Sequence, residues 1–194
     1  MTLDDLKSLI ALTLREPRQA AHWLMAQGWP MQLRWMALLL AVSLSGVLAA
    51  ISMYLFPPPA DTPSMLPREP FMLAVMQFAA ITLAGWLMAS VGQMFGGRGQ
   101  FPDALLLVTW IEVILLLVQT VQIVVGLILP GASVLIGILS IMLFLWLTVH
   151  FIKALHGFES TPKILIVMFA TVFAVGFVLS FVAVSLGFMP QVAP

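Results

Sequence analysis

Residues 104–152 read ALLLVTWIEVILLLVQTVQIVVGLILPGASVLIGILSIMLFLWLTVHFI, and Glu112 is the only charged residue among them. Pro130-Gly131 divides the stretch, because proline cannot continue a helix and glycine permits a tight reversal. A helix crossing about 30 Å of hydrocarbon needs roughly 20 apolar residues. Each half meets that length, so the stretch predicts two membrane-spanning helices, 104–129 and 132–152, joined by a short turn. Outward from it, residues 35–56, 71–95 and 164–188 are three more apolar runs of spanning length. The expected fold is an all-α membrane protein of five transmembrane helices with a short amphipathic N-terminal helical segment. Its parts are a cytoplasmic segment 1–33, a membrane domain 34–189 and a tail 190–194.

Composition agrees. The 194 residues are 62% hydrophobic and 8% charged, and mean hydropathy is +1.11. A soluble domain carries about a quarter charged residues, and disorder needs low hydrophobicity with high net charge. Eight basic and eight acidic residues cancel, so no basic field attracts nucleic acid. With no cysteine, disulfides, thiolate metal sites and cysteine nucleophiles are excluded, and the redox compartment is not readable. All 13 prolines lie outside the apolar runs or at their ends, so the proline-broken helices of many carriers are not expected.

Lysine and arginine in short loops set orientation. Lys7, Arg15, Arg18 and Arg34, then Arg98, Lys153 and Lys163, share one side; only Arg68 lies on the other. This places the N-terminus and the second and fourth loops in the cytoplasm and the C-terminus across the membrane. Residues 57–70 hold six prolines in fourteen positions, which predicts an extended external loop. The N-terminal segment is not a signal peptide: Asp4 and Asp5 precede any apolar core. Thr2 with Asp5 resembles a capping box, Leu3, Leu6, Leu9, Ile10 and Leu14 recur at helical spacing, and Pro17 suits the start of a second helix. Residues 2–28 thus read as two amphipathic helices on the cytoplasmic membrane surface, or packed on the protein's own loops. Trp23, Trp29 and Trp35 suit the headgroup zone.

Glu112 lies about 12 Å into the third span at 1.5 Å per residue. A charge there is costly, so it must face a partner or a wet cavity. Thr109, Glu112, Gln119, Gln122 and Gly126 fall on one helix face about 140° wide. Two uses are open: a proton or ion path, or polar bonding between helices. A relay usually shows several carboxylates or histidines in series, and one acid favours the second. Arg98, His150, Lys153 and His156 form a candidate cytoplasmic interface, with His150 and His156 as interfacial caps. Their spacing of six does not place both on one helix face, so no metal site is expected. Gly96-Gly97-Arg98-Gly99 lacks the strand and the lysine-serine/threonine pair of a nucleotide loop and reads as a flexible turn. No nucleophile–base set, paired carboxylates or cofactor motif can be assembled, which points away from an enzyme and implies no cofactor. Small residues four apart, Ala37, Ala41, Ser45 and Ala49, then Gly85 and Ala89, then Gly176 and Ser180, suit close helix contact.

Four stretches together resemble the Yip (Ypt-interacting protein) domain family in its short bacterial form: Arg15-Glu16-Pro17-Arg18; Gly96 to Phe101 with Ala104-Leu105; Trp110; and Trp146 followed by Ala154-Leu155-His156-Gly157-Phe158-Glu159-Ser160-Thr161. Their order and spacing carry the likeness. Bacterial relatives often have a proline soon after the tryptophan, where this chain runs Ile111-Glu112-Val113-Ile114, so a kink there is not carried over. The resemblance implies a five-helix protein of the bacterial inner membrane. Eukaryotic relatives act in vesicle traffic and associate with Rab-type GTPases through longer N-terminal domains; about 34 residues stand there in this chain, and GTPase binding is not carried over. The expected role is a non-enzymatic scaffold or adaptor that organises membrane proteins or bilayer shape. Its expected partners are the lipid bilayer and other membrane proteins or a second copy, with no nucleic acid. The alternative is a small transporter or channel built on the Glu112, Gln119 and Gln122 stripe.

Overall fold

The computed structural model describes residues 3–57 and 69–185. The proline-rich stretch 58–68 with Arg68, Thr2 of the expected capping box, the end of the fifth run at 186–188 and the tail 190–194 lie outside the described residues. Seven helices, and no strand, occur among the described residues: α1 (Leu3–Arg15), α2 (Pro17–Ala26), α3 (Met31–Leu55), α4 (Pro70–Met94), α5 (Phe101–Ile128), α6 (Pro130–His156) and α7 (Thr161–Ser185). The last five are long and apolar enough to cross a membrane. The expected fold class is therefore the observed one.

The helices begin and end where local chemistry dictates. Proline occupies the first turn of α2, α4, α5 and α6, where its missing N–H costs nothing. One residue, Leu129, separates α5 from α6; its N–H bonds to the Val125 carbonyl at 2.8 Å. Gly157 stops α6 at φ +75°, giving its N–H to the Lys153 carbonyl. That left-handed cap favours glycine. The hydropathy pattern placed three boundaries several residues inside the real ones. Helix α3 starts at Met31, α5 at Phe101, and α6 runs on to His156, so Arg34, Asp103 and His156 are helical residues.

The chain divides into two compact units, up to Phe158 and from Glu159 onward. In the first unit α5 is the central helix, packed on α3, α4 and α6 and touched by α2. Every residue from Ala104 to Ile111 is buried, as expected for a helix that is apolar all round. Gly85 lets α4 approach α5: a Cβ there would lie 3.3 Å from Val108 Cγ2 and 3.4 Å from the Leu105 Cα. Ala41, Ser45 and Ala89 of the small-residue rows are buried as well.

Helices α1 and α2 are attached to this bundle. Ala20, Ala21 and Leu24 of α2 are fully buried, with α2 packed on α6 and α5. The apolar face of α2 thus covers the helices α5 and α6 rather than the loops expected as the alternative to lipid. In the second unit, α7 opens with the Lys163 N–H bonded to the Ser160 hydroxyl oxygen at 3.4 Å. The Thr171 and Ser185 hydroxyls bond back to the carbonyls of Val167 and Phe181.

Candidate functional site

The intramembrane acid has its partner on another helix. The Gln77 amide donates from Nε2 to Glu112 Oε1 at 2.7 Å and to Ser45 Oγ at 3.0 Å. One glutamine of α4 thereby joins α3 and α5. The rest of the predicted stripe serves other ends. Thr109 is buried and donates its hydroxyl proton to the Leu105 carbonyl of its own helix at 2.7 Å. Gln119 is half-buried two turns beyond Glu112. Gln122 donates to the Ser133 carbonyl of α6 at 3.1 Å. The side chains do lie along one helix, but their bonds point to different neighbours, and Gln77 and Ser45 complete the set. Neither carries a charge; Ser45 was visible only as a small residue, and Gln77 gave no signal.

The candidate interface does not hold together as a set. Arg98 is exposed, and His150 and Lys153 are half-buried. His150 bonds from Nδ1 to the Trp146 carbonyl of its own helix at 2.7 Å, with the two rings 4.9 Å apart. His156, expected as an interfacial cap, is only 5% exposed. Its Nε2 faces the Met88 carbonyl of α4 at 2.9 Å, and its Nδ1 faces the Gly99 N–H at 3.1 Å. A carbonyl can only accept and an amide N–H only donates, so these partners fix the neutral tautomer with the proton on Nε2. The Phe158 ring stacks on the imidazole at 5.3 Å.

Three glycines make the room. A Cβ at Gly92, Gly97 or Gly99 would stand 2.1, 2.2 or 2.4 Å from the nearest atom of His156 or Leu155. The Gly97 N–H also bonds to the Gly92 carbonyl at 2.9 Å, and Gln93 Nε2 to the Gly99 carbonyl at 2.8 Å. Gly97 and Gly99 of this stretch therefore join Gly92 in a fitted socket for His156, where the missing side chain gives close approach, while Gly96 turns the chain at φ +86° with nothing within 4 Å of its Cβ position.

Further contacts tie this end of the bundle. Arg34 is 6% exposed; it donates from Nη1 to Asp103 Oδ1 at 2.7 Å and from Nε to the Trp29 carbonyl at 2.8 Å. The start of α3 is thus clamped to the start of α5. The indole of Trp110 donates to Thr13 Oγ1 at 2.9 Å, and Arg18 Nη2 donates to the Phe158 carbonyl at 3.0 Å. Trp35 packs between Phe78 and Phe101, with ring centroids at 5.9 and 6.2 Å; Trp29 packs against the core, and Trp23 is 40% exposed. Of the three headgroup candidates only Trp23 is largely open. Among the described residues no three histidine, aspartate or glutamate side chains are grouped to hold a metal ion.

Residues 11–182 match the family model of the Yip1 domain. No curated protein and no solved structure matches. The match covers most of the chain, which belongs to the Yip1 domain family.

Proposed function

We propose that this Yip1-family membrane protein is a non-enzymatic scaffold or adaptor that organises other membrane proteins or local bilayer shape. Its proposed setting is the inner membrane of a bacterial cell, with the N-terminus and the second and fourth loops in the cytoplasm and the C-terminus opposite. The observation that supports this reading is the pair of hydrogen bonds donated by Gln77: Glu112 accepts one of them and Ser45 the other, so a single amide ties α3, α4 and α5 together. In lipid, bonds of that kind replace the hydrophobic drive that packs soluble helices. Gln122, bonded to the α6 backbone, supports the same reading over the transporter alternative.

Cross-linking in native membranes followed by purification in mild detergent tests it. A defined membrane-protein partner or a homo-oligomer is expected. A solitary monomer, together with proton flux in liposomes that disappears on Glu112→Gln, overturns the scaffold in favour of a conducting path.

A further inference from the structure

His156 is the node at which several parts of the first unit meet. Its ring joins the end of α6 to the α4 backbone through Met88, and to the loop between α4 and α5 through Gly99. Phe158, stacked on the same ring, accepts a hydrogen bond on its carbonyl from Arg18 of α2. Both ring nitrogens are committed, and in opposite senses. Nε2 carries the proton and donates to a carbonyl; Nδ1 is bare and accepts from an amide. A second proton can go only to Nδ1, where it would set an N–H against the Gly99 N–H. The amide cannot become an acceptor, and Gly92, Gly97 and Gly99 hold the ring too closely for it to turn away inside the socket.

The charged groups on the surrounding elements give no relief. Helix α4 has no ionisable side chain. The loop brings Arg98, which is exposed; α6 brings Lys153, one turn back, and His150, bonded to the Trp146 carbonyl; α2 brings Arg18. Cations cannot accept an N–H. Asp103 of α5 is paired with Arg34, and Glu16 and His22 at α2 are exposed, as is Glu159 after Phe158. Among the described residues the socket has no counter-charge.

We propose that His156 is an acid-sensitive latch. While neutral it fastens α4, the α4–α5 loop and, through Phe158, α2 to the end of α6; on protonation it leaves the socket and frees them. The latch belongs to the fold of this end and does not depend on the scaffold reading. Its direction follows from where the proton binds. A ring released into water takes up the proton near pH 6.5, the ordinary imidazole value, whereas the seated ring offers no place for it. Seating is therefore at full strength above about pH 7 and weakens as pH falls through about 6.5, by about ten-fold per unit below that.

The Gly99 N–H, bonded to Nδ1, is the direct reporter. Hydrogen exchange is measured on the full chain in lipid nanodiscs by residue-resolved mass spectrometry, corrected for the intrinsic pH dependence of exchange. Opening at Gly99 is expected to be about ten-fold more frequent at pH 5.5 than at pH 7.5. His156→Asn keeps an oxygen near the Nδ1 position and His156→Gln an N–H near the Nε2 position. Neither titrates, so both should lose the pH response whatever their stability at neutral pH. His22→Gln and His150→Gln should retain it. No change at Gly99 between the two pH values in the unaltered chain overturns the proposal, as does a response that survives in both His156 variants. Should those variants fail to fold, nitrogen NMR of labelled histidine in the unaltered chain decides. The ring must gain its second proton over the pH range in which Gly99 opens. A charged ring beside a still-protected Gly99, or an opened Gly99 beside a ring that stays neutral, overturns the latch.

Discussion

The two ends of the α3–α6 bundle are held by different physics. At one end, His156 is buried in a glycine socket, Arg34 is paired with Asp103, and every α5 residue from Ala104 to Ile111 is enclosed. At the other, Val121, Val124, Leu127 and Ile128 of α5 and Val134, Leu135 and Ile138 of α6 are all largely exposed. Lipid tails are as apolar as these side chains, so burial between helices gains little there over burial in the bilayer. Specific contacts are what separate a defined helix arrangement from a loose one. They are concentrated at the end that also carries α1 and α2. One end of the bundle is thereby fixed, and the other can adapt to whatever membrane surface surrounds it.

The sharpest way to break this contrast is one substitution made at both ends. Gly92→Ala puts a methyl 2.1 Å from Nε2 of an imidazole that is bonded on both sides. The ring has no cheap retreat, so a cost at the upper end of the usual range for overpacking, about 3 kcal/mol, is expected. Gly131→Ala, near the start of α6, meets nothing within 4 Å and should stabilise by roughly 0.5–1 kcal/mol through helix propensity. Thermal unfolding in detergent should show opposite signs. Losses of equal size at both positions would end the distinction between a fixed and an adaptable end.

A smaller effect is expected from Arg34→Met. It leaves the Trp29 carbonyl and the Asp103 carboxylate without their guanidinium. Breaking a fully buried pair costs about 3–5 kcal/mol, but the Asp103 side chain is 35% exposed, so water takes over part of the role. A loss of about 1–2 kcal/mol is the expected figure. A measured change near zero would mean that the clamp between α3 and α5 is a surface ion pair in energetic terms.

What the sequence revealed follows the same division. The five spans are legible because about 20 consecutive apolar residues have few other uses. The fixed end is not, because its polar residues sit inside helices and are paired there. A hydropathy reading treats Arg34, Asp103 and His156 as boundary markers, and so it trims α3, α5 and α6 short. The socket is invisible for another reason: no periodicity links Gly92, Gly97 and Gly99 to a histidine more than fifty residues later. Amphipathicity in α2 was legible, yet the same pattern suits lipid or protein, and only the burial of Ala20, Ala21 and Leu24 distinguishes them. Glu112 announced that it needed a partner. Gln77 could not be named as that partner, because a neutral amide in an apolar run costs too little to stand out.

The Glu112 cluster lies between the two ends, and its strength says to which of them it belongs. Glu112→Gln keeps an oxygen for the Gln77 amide and should change the thermal midpoint little. Glu112→Leu removes that acceptor, while Ser45 Oγ, at 3.0 Å from Gln77 Nε2, remains in place. Hydrogen bonds between helices in membranes average about 0.6 kcal/mol and reach about 1–2, so a cost near 1 kcal/mol is expected. The double change Gln77→Leu with Glu112→Leu should cost less than the sum of the two single changes, by a coupling of similar size. A coupling well above 2 kcal/mol would place the cluster with the fixed end and extend that end to the middle of the bilayer. No coupling at all would mean that Gln77 satisfies itself through Ser45 alone, and that Glu112 is held in its span by something other than helix association.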